Sequence, residues 1–150
     1  MIAYPDTSFL WAFYRKQANS PQAAAHFAKM PEALHVASPL LFEFRKSVRW
    51  QTFLHLQDPS KGYDKPTALA ALSKLHVEIA SGAVVVVPVE WADVASIAER
   101  LSAQYTWTEG YRGFDLLHVA TALHLGASEF LTFDEKQKKL AEAEGLRVPL

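Results

Sequence analysis

Residues 112–140 read RGFDLLHVATALHLGASEFLTFDEKQKKL. The first part predicts a helix from about Phe114 to Leu125, with Asp115 in its first turn crowded by Leu116, Leu117, Val119 and Ala120. A strand is expected at Glu129 to Thr132. Directly after it, Asp134 and Gln137 have the spacing of a capping box at the start of a last helix. Gly145 stops that helix, and Leu146 to Val148 reads as a final short strand. Strands alternating with helices are the mark of a parallel sheet with helices on its faces.

The rest of the chain repeats the alternation. Ile2 to Tyr4 reads as a short buried strand ending at Pro5-Asp6, and Thr7 and Ser8 can cap a helix over residues 8–16. Pro21 suits the first turn of a second helix running to Lys29, followed by a strand at Leu34 to Ala37. Ser38-Pro39 has the look of a cap and first turn for a helix carrying Leu40, Leu41, Glu43, Phe44 and Val48 towards Leu56. Asp58 to Gly62 is a loop. Asp64 caps a helix with Leu69, Leu72, Leu75 and Ile79 on one face, and Gly82 ends it. Ala83 to Val87 reads as a strand covered on both faces. Trp91, Val94, Ala98, Leu101 and Tyr105 step along another helix, and Thr106 to Gly113 reads as a polar loop. The expected fold is α/β with a central parallel sheet, and residues 1–150 read as a single domain without repeats or linkers.

Half of the residues are hydrophobic, which supports a substantial core. The formal net charge is −1, so the chain as a whole is not a basic nucleic-acid binder, although a local basic rim can still meet phosphates. The absence of cysteine excludes disulfides, thiolate catalysis and cysteine-based zinc sites, and it suits a reducing cytoplasm. No apolar run approaches the roughly 18 residues of a membrane span, so no membrane association is expected.

Against this background four acids are out of place. Asp6, Glu43, Asp115 and Asp134 each sit in, or directly end, an apolar run. Carboxylates are seldom buried unless paired or bound to a metal. Asp6 and Asp134 follow strands, and sites in open parallel sheets form beyond the strands' carboxyl ends. Glu43 lies about one turn into its helix and Asp115 in the first turn of its own. A shared pocket of carboxylates without matching bases points to a divalent cation, Mg²⁺ or Mn²⁺. Phosphodiester hydrolysis by a cation-activated water follows from such a site.

Each acid also has a plainer reading. Asp6 and Asp134 serve equally as helix caps, Glu43 can pair with Arg45, Lys46 or Arg49, and Asp115 can be a helix-start aspartate. His118 lies one turn from Asp115 on the same face and is more often a packed histidine than a ligand. Lys136, Lys138 and Lys139 read as a solvated face. Arg112 stands three residues before Asp115 and can pair with it or meet a phosphate.

Asp6-Thr7-Ser8 after the first strand, the helix glutamate Glu43, GFDLLHVATAL around Asp115 and LTFDEKQKKLA around Asp134 together resemble the PIN domain. More narrowly they resemble the VapC-type toxin ribonucleases of toxin–antitoxin pairs. The resemblance implies a three-layer α/β/α sandwich and a Mg²⁺-dependent endoribonuclease site, with Mn²⁺ as a substitute. It implies Asp6, Glu43, Asp115 and Asp134 as the catalytic acids. Asp6 and Asp115 would bind the metal directly, and Glu43 and Asp134 directly or through water. Ser8 and Arg112 would be supporting residues. It further implies an RNA substrate, a homodimer, and a cognate antitoxin bound over part of residues 8–56. The asparagine that related sequences often carry a turn after the helix glutamate is missing, since that region reads Arg45-Lys46-Ser47.

Two other classes remain open on the sequence. A phosphotransfer enzyme would use Asp6 as acceptor, but Ser8 stands where the Asp-x-Asp pattern needs a second aspartate. A catalytically inactive PIN-like domain would act as a binding module.

Overall fold

A computed structural model describes residues 1–150. The elements run β1 (Ala3–Pro5), α1 (Thr7–Tyr14), α2 (Ser20–Lys29), β2 (Leu34–Val36), α3 (Ser38–Gln57), α4 (Lys65–Ser81), β3 (Val84–Val86) and α5 (Trp91–Leu101). A π-helical turn (Ser102–Thr106), α6 (Trp107–Glu109), α7 (Gly113–His124), β4 (Glu129–Leu131) and α8 (Glu135–Ala143) complete the order.

All strand pairing is parallel. β1 pairs with β4 through Ala3–Glu129, Tyr4–Phe130 and Pro5–Leu131. β2 pairs with β3 through Leu34–Val84, His35–Val85 and Val36–Val86. β1 lies alongside β2 without a hydrogen-bonded ladder between them, so the strands follow the order β3-β2-β1-β4. Arg147 adds one parallel bridge to Glu129 in place of the expected last strand. Helices α1 to α4 pack on one another, α5, α7 and α8 form a second group, and both α1 and α7 reach β1. The result is the expected three-layer α/β/α sandwich.

β1 and β4 are buried along their whole length, which explains why they read as apolar runs. β3 departs from expectation. Val85 and Val86 remain 36% and 41% exposed, because β3 pairs only with β2 and its outer edge is uncovered. Side chains from both helical groups and from the sheet meet in one core, where Tyr4, Phe9, Phe44, Leu101 and Phe130 are fully buried.

Two helix starts differ from the sequence reading and one agrees with it. Asp6, not Thr7 or Ser8, caps α1 by accepting from the Phe9 amide at 3.0 Å. Ser38 is the first helical residue of α3 and Ala37 its uncapped N-cap. Asp64 caps α4 as expected, accepting from Thr67 at 2.9 Å. The segment expected as a loop from Thr106 is helical through Glu109 and stops only at Gly110, whose φ of 64° ends the run. No helix is long and apolar enough to cross a membrane.

Gly62 closes the loop after α3 at φ 57°, and a Cβ there would stand 2.0 Å from the Gln51 carbonyl oxygen. Gly82, at φ 81°, has open space around the same position. Both alanine variants force a left-handed backbone on a side chain, but only Gly62→Ala also drives atoms into the backbone of α3. Gly82→Ala should cost about 1 kcal/mol and Gly62→Ala roughly 2–4 kcal/mol. Urea unfolding of the two variants checks this, and equal losses would contradict it.

Candidate active site

The carboxyl ends of β1 and β4 lie side by side, and Asp6 extends the ladder by donating its amide to the Leu131 carbonyl at 3.0 Å. That register sets Asp6 beside Thr132. The Asp6 side chain has no exposed surface. Its Oδ1 accepts from Ser8 Oγ at 2.6 Å and the Phe9 amide at 3.0 Å. Its Oδ2 accepts from Thr132 Oγ1 at 2.6 Å and Gln137 Nε2 at 2.8 Å. A carboxylate offers about four acceptor directions, so protein donors fill all of them. The hydroxyls are themselves held, since Ser8 Oγ accepts from the Phe133 amide at 2.8 Å and Thr132 Oγ1 from the Asp134 amide at 2.9 Å.

Above Asp6 opens a cleft of about 280 Å³ lined by Ser8, Glu43, Arg112, Asp115, Asp134, Lys136 and Gln137, among others. Three of the four expected acids therefore face one space, and the fourth forms its floor. Their depths are graded, contrary to the expectation that all are buried. Asp6 is buried, Glu43 and Asp115 are half-buried, and Asp134 is exposed. The apolar neighbours of Glu43 and Asp134 in sequence wrap around their helices instead of enclosing them, as Phe42 shows at 63% exposure beside buried Phe44.

Each acid has its own support. Asp134 caps α8, its Oδ1 accepting from Lys136 at 2.8 Å and Gln137 at 3.0 Å. The Gln137 side chain does not reach back to close a capping box. It turns instead to Asp6 and, at 3.4 Å, to Asp115 Oδ1. Asp115 sits in the first turn of α7, where the helix terminus favours negative charge. Glu43 is held by His118, whose Nε2 lies 2.5 Å from Glu43 Oε2. His118 is thus buried, as a packed histidine would be, yet it meets an acid of the cleft. His124 stands apart, near the Glu90 amide.

The turn before α7 is pinned to the start of α8. Tyr111 donates its hydroxyl to the Lys136 carbonyl at 3.1 Å, and Lys136 Nζ donates to the Gly110 carbonyl at 3.2 Å. Lys139 pairs with Glu109 at 2.8 Å. These contacts bring Arg112 and Asp115 up against Asp134. Arg112 is exposed at the N-cap of α7 and makes no ion pair. On the other wall Trp11 donates to Ser47 Oγ at 2.7 Å, tying α1 to α3 one turn beyond Glu43.

Sequence reasoning missed Thr132, His118 as a partner of Glu43, Gln137 as a bridge and Lys136 as a wall residue. A polar residue ending a buried strand was the only signal for Thr132. The others depend on which helix faces which.

Burial pushes the Asp6 carboxyl up to about 6, against the lowering pull of Ser8, Thr132, the Phe9 amide and His118. Asp115 is raised by burial and then by the charges of Asp134 and Glu43, with His118 and Arg112 opposing. Crowded negative charge and an all-oxygen donor set suit a hard divalent cation. No three of the His, Asp and Glu side chains form a cage that could hold an ion unaided. The cleft fits an ion that takes one or two carboxylates directly and keeps its waters, which is the habit of Mg²⁺.

A carboxyl raised in the folded state binds more protons folded than unfolded between the two pKa values. The stability it contributes is complete below about pH 4 and is lost as pH rises to about 6, a change on the order of 2–3 kcal/mol. In Asp6→Asn a half-turn of the Gln137 amide would bring its Oε1, which has no partner, to accept from the new NH₂. Asp6→Asn should fold, melt at or above the wild-type temperature at pH 7.5, and lack the pH 4–6 slope. Thermal melts across that range check this, and an unchanged slope in the variant would refute it.

The chain matches the profile described as "PIN domain" over residues 3–143. Among solved structures it is similar to the sarcin-ricin loop cleaving toxin VapC20 of Mycobacterium tuberculosis, with a TM-score of 0.65, 23% identity, and coverage of 97% of this chain and 96% of that one. It is also similar to VapBC2 of Rickettsia felis, solved bound to a DNA fragment from their promoter (TM-score 0.68, 17% identity, coverage 99% and 97%). FitAcB of Neisseria gonorrhoeae is a third (TM-score 0.62, 18% identity, coverage 98% and 96%). No curated protein matches significantly in sequence. The profile spans β1 to the end of α8, and with it the whole acidic cleft, so the chain belongs to the PIN-domain family.

Proposed function

We propose that this chain is a single-domain, metal-dependent endoribonuclease that hydrolyses RNA phosphodiester bonds as the toxin of a toxin–antitoxin pair in the cytoplasm. The observation that carries the reading is the meeting of Glu43, Asp115 and Asp134 in one cleft over Asp6, at the carboxyl edge of a parallel sheet. A bound Mg²⁺ or Mn²⁺ supplies Lewis-acid polarisation of the phosphoryl oxygen and a more acidic water. Asp115 would be the foremost direct ligand, and Glu43 and Asp134 would hold the ion directly or through water. Asp6 would become a direct ligand only by releasing one of its four donors, and would otherwise fix the positions of the residues around it.

Glu43 is set to take the proton of the attacking water, because His118 fixes one of its oxygens and the other remains for the cleft. Water oxygen bonds to phosphorus, the bond from phosphorus to the leaving ribose oxygen breaks, and that oxygen is protonated from solvent. Arg112 and Lys136 stand on the wall of the cleft, where they can offset phosphate charge. Ser8 keeps Asp6 in place.

The antitoxin reading draws on the VapBC2 and FitAcB neighbours and on an uncovered apolar face. Phe53, Leu56 and Leu69 are 47%, 75% and 52% exposed between α3 and α4, and Arg49 and Lys65 border them. An apolar helix with acidic flanks suits this face. A homodimer completes the proposed assembly.

A catalytically inactive, binding-only PIN domain is the second reading, favoured by the saturated hydrogen bonding of Asp6 and the absence of a ready-made ion cage. Incubating purified, partner-free protein with total cellular RNA and Mn²⁺ or Mg²⁺ separates the two. Discrete fragments are expected, and they should vanish with EDTA and with Asp115→Asn. No cleavage together with no Mn²⁺ binding would establish the binding-only reading.

A further inference from the structure

We propose that Gln137 is a positioning residue of the acidic cleft, whose side-chain amide ties Asp115 to the buried Asp6 and so sets where Asp115 meets a divalent cation. The inference rests on the cation-dependent reading above.

Gln137 is in the first turn of α8 and only 3% exposed. Its Nε2 lies 2.8 Å from Asp6 Oδ2 and 3.4 Å from Asp115 Oδ1. Its backbone amide meets a third acid, Asp134 Oδ1, at 3.0 Å. One residue thus contacts carboxylates from the end of β1, the start of α7 and the cap of α8. The remaining acid, Glu43, has its own support in His118.

The amide's other end shows what the side chain is for. Gln137 Oε1 is buried and has no partner. Buried polar atoms are nearly always paired, so a glutamine present only to fill this space would be replaced at a gain by an apolar side chain of the same length. The NH₂ group is the part in use, and it lies between the Asp6 and Asp115 carboxylates. A neutral donor can bridge them without cancelling the charge that a cation needs, whereas a lysine would occupy the cation's place. Groups that hold metal-binding side chains in this way typically change metal affinity or activity by roughly ten- to hundredfold when removed.

Gln137→Met keeps the length and removes the amide. The variant should melt cooperatively, bind Mn²⁺ roughly ten- to hundredfold more weakly by calorimetry, and lose kcat by a similar factor. Its KM for an RNA substrate should stay within about twofold, because Gln137 acts on the acids and not on the strand. The bridge itself is read without metal by NMR. The Gln137 side-chain NH₂ should exchange slowly with solvent, and Asp115→Asn should shift it. Wild-type Mn²⁺ affinity and kcat in Gln137→Met would overturn the proposal, as would a rapidly exchanging NH₂. A wild-type protein that shows the protected NH₂ but binds no Mn²⁺ would overturn the cation reading and with it this role, leaving the bridge as packing alone.

Discussion

The structure is organised around one buried carboxyl group and its hydrogen bonds. Asp6 lies with no exposed surface where four parts of the chain converge, and each part sends it a donor or a neighbour. Ser8 and Phe9 come from α1, Thr132 from the end of β4 and Gln137 from α8. An isolated carboxylate would not survive such burial, since desolvation disfavours the charged form strongly. The four donors are what make it tolerable, and they require β1, β4, α1 and α8 to adopt one fixed arrangement. The acid thus specifies geometry as much as chemistry, because a shift of any one element would strip it of a donor.

The acids above Asp6 follow a different logic. Glu43 and Asp115 are half-buried and Asp134 is exposed, so solvent reaches all three. The Asp115 carboxyl is raised first by burial and then by the charges of Asp134 and Glu43. Histidine, arginine and lysine side chains stand near them, but none fills the cleft, since His118 is engaged from behind and Arg112 remains unpaired. Negative charge is held together at some cost and left accessible on one side, as cation-assisted hydrolysis requires. The same features suit a non-catalytic site poorly, because a binding module gains nothing from repulsion among its own side chains.

Support for the cleft comes from contacts with little sequence signature. Tyr111 and Lys136 lock the turn before α7 to α8, and Trp11 locks α1 to α3 through Ser47. Helical structure through Glu109 carries the chain to Gly110, whose left-handed backbone lets it reverse into α7. A polar, glycine-containing segment reads as a loop because its composition is that of one. Tertiary contacts such as Lys139 with Glu109 add to the preference for helix there.

The sequence by itself determined the alternation of strands and helices from β1 to α8, the parallel pairing of the strands and the placement of four acids against apolar neighbours. These features are local: apolar runs, helical spacing, glycine stops and carboxylates set against apolar neighbours all reveal themselves within a few residues. It also marked Asp64 and Gly82 correctly as helix ends, because a cap involves only adjacent residues. Only the tertiary structure decided that Asp6 forms a floor and Asp134 a rim, that β3 is an uncovered edge, and that His118 and Gln137 hold acids. Those facts depend on which helix faces which strand, with partners as far apart in sequence as Asp6 and Gln137. A capping-box spacing predicts where a glutamine can reach locally. It does not register a pair of buried carboxylates from elsewhere in the chain that compete for the same NH₂ group.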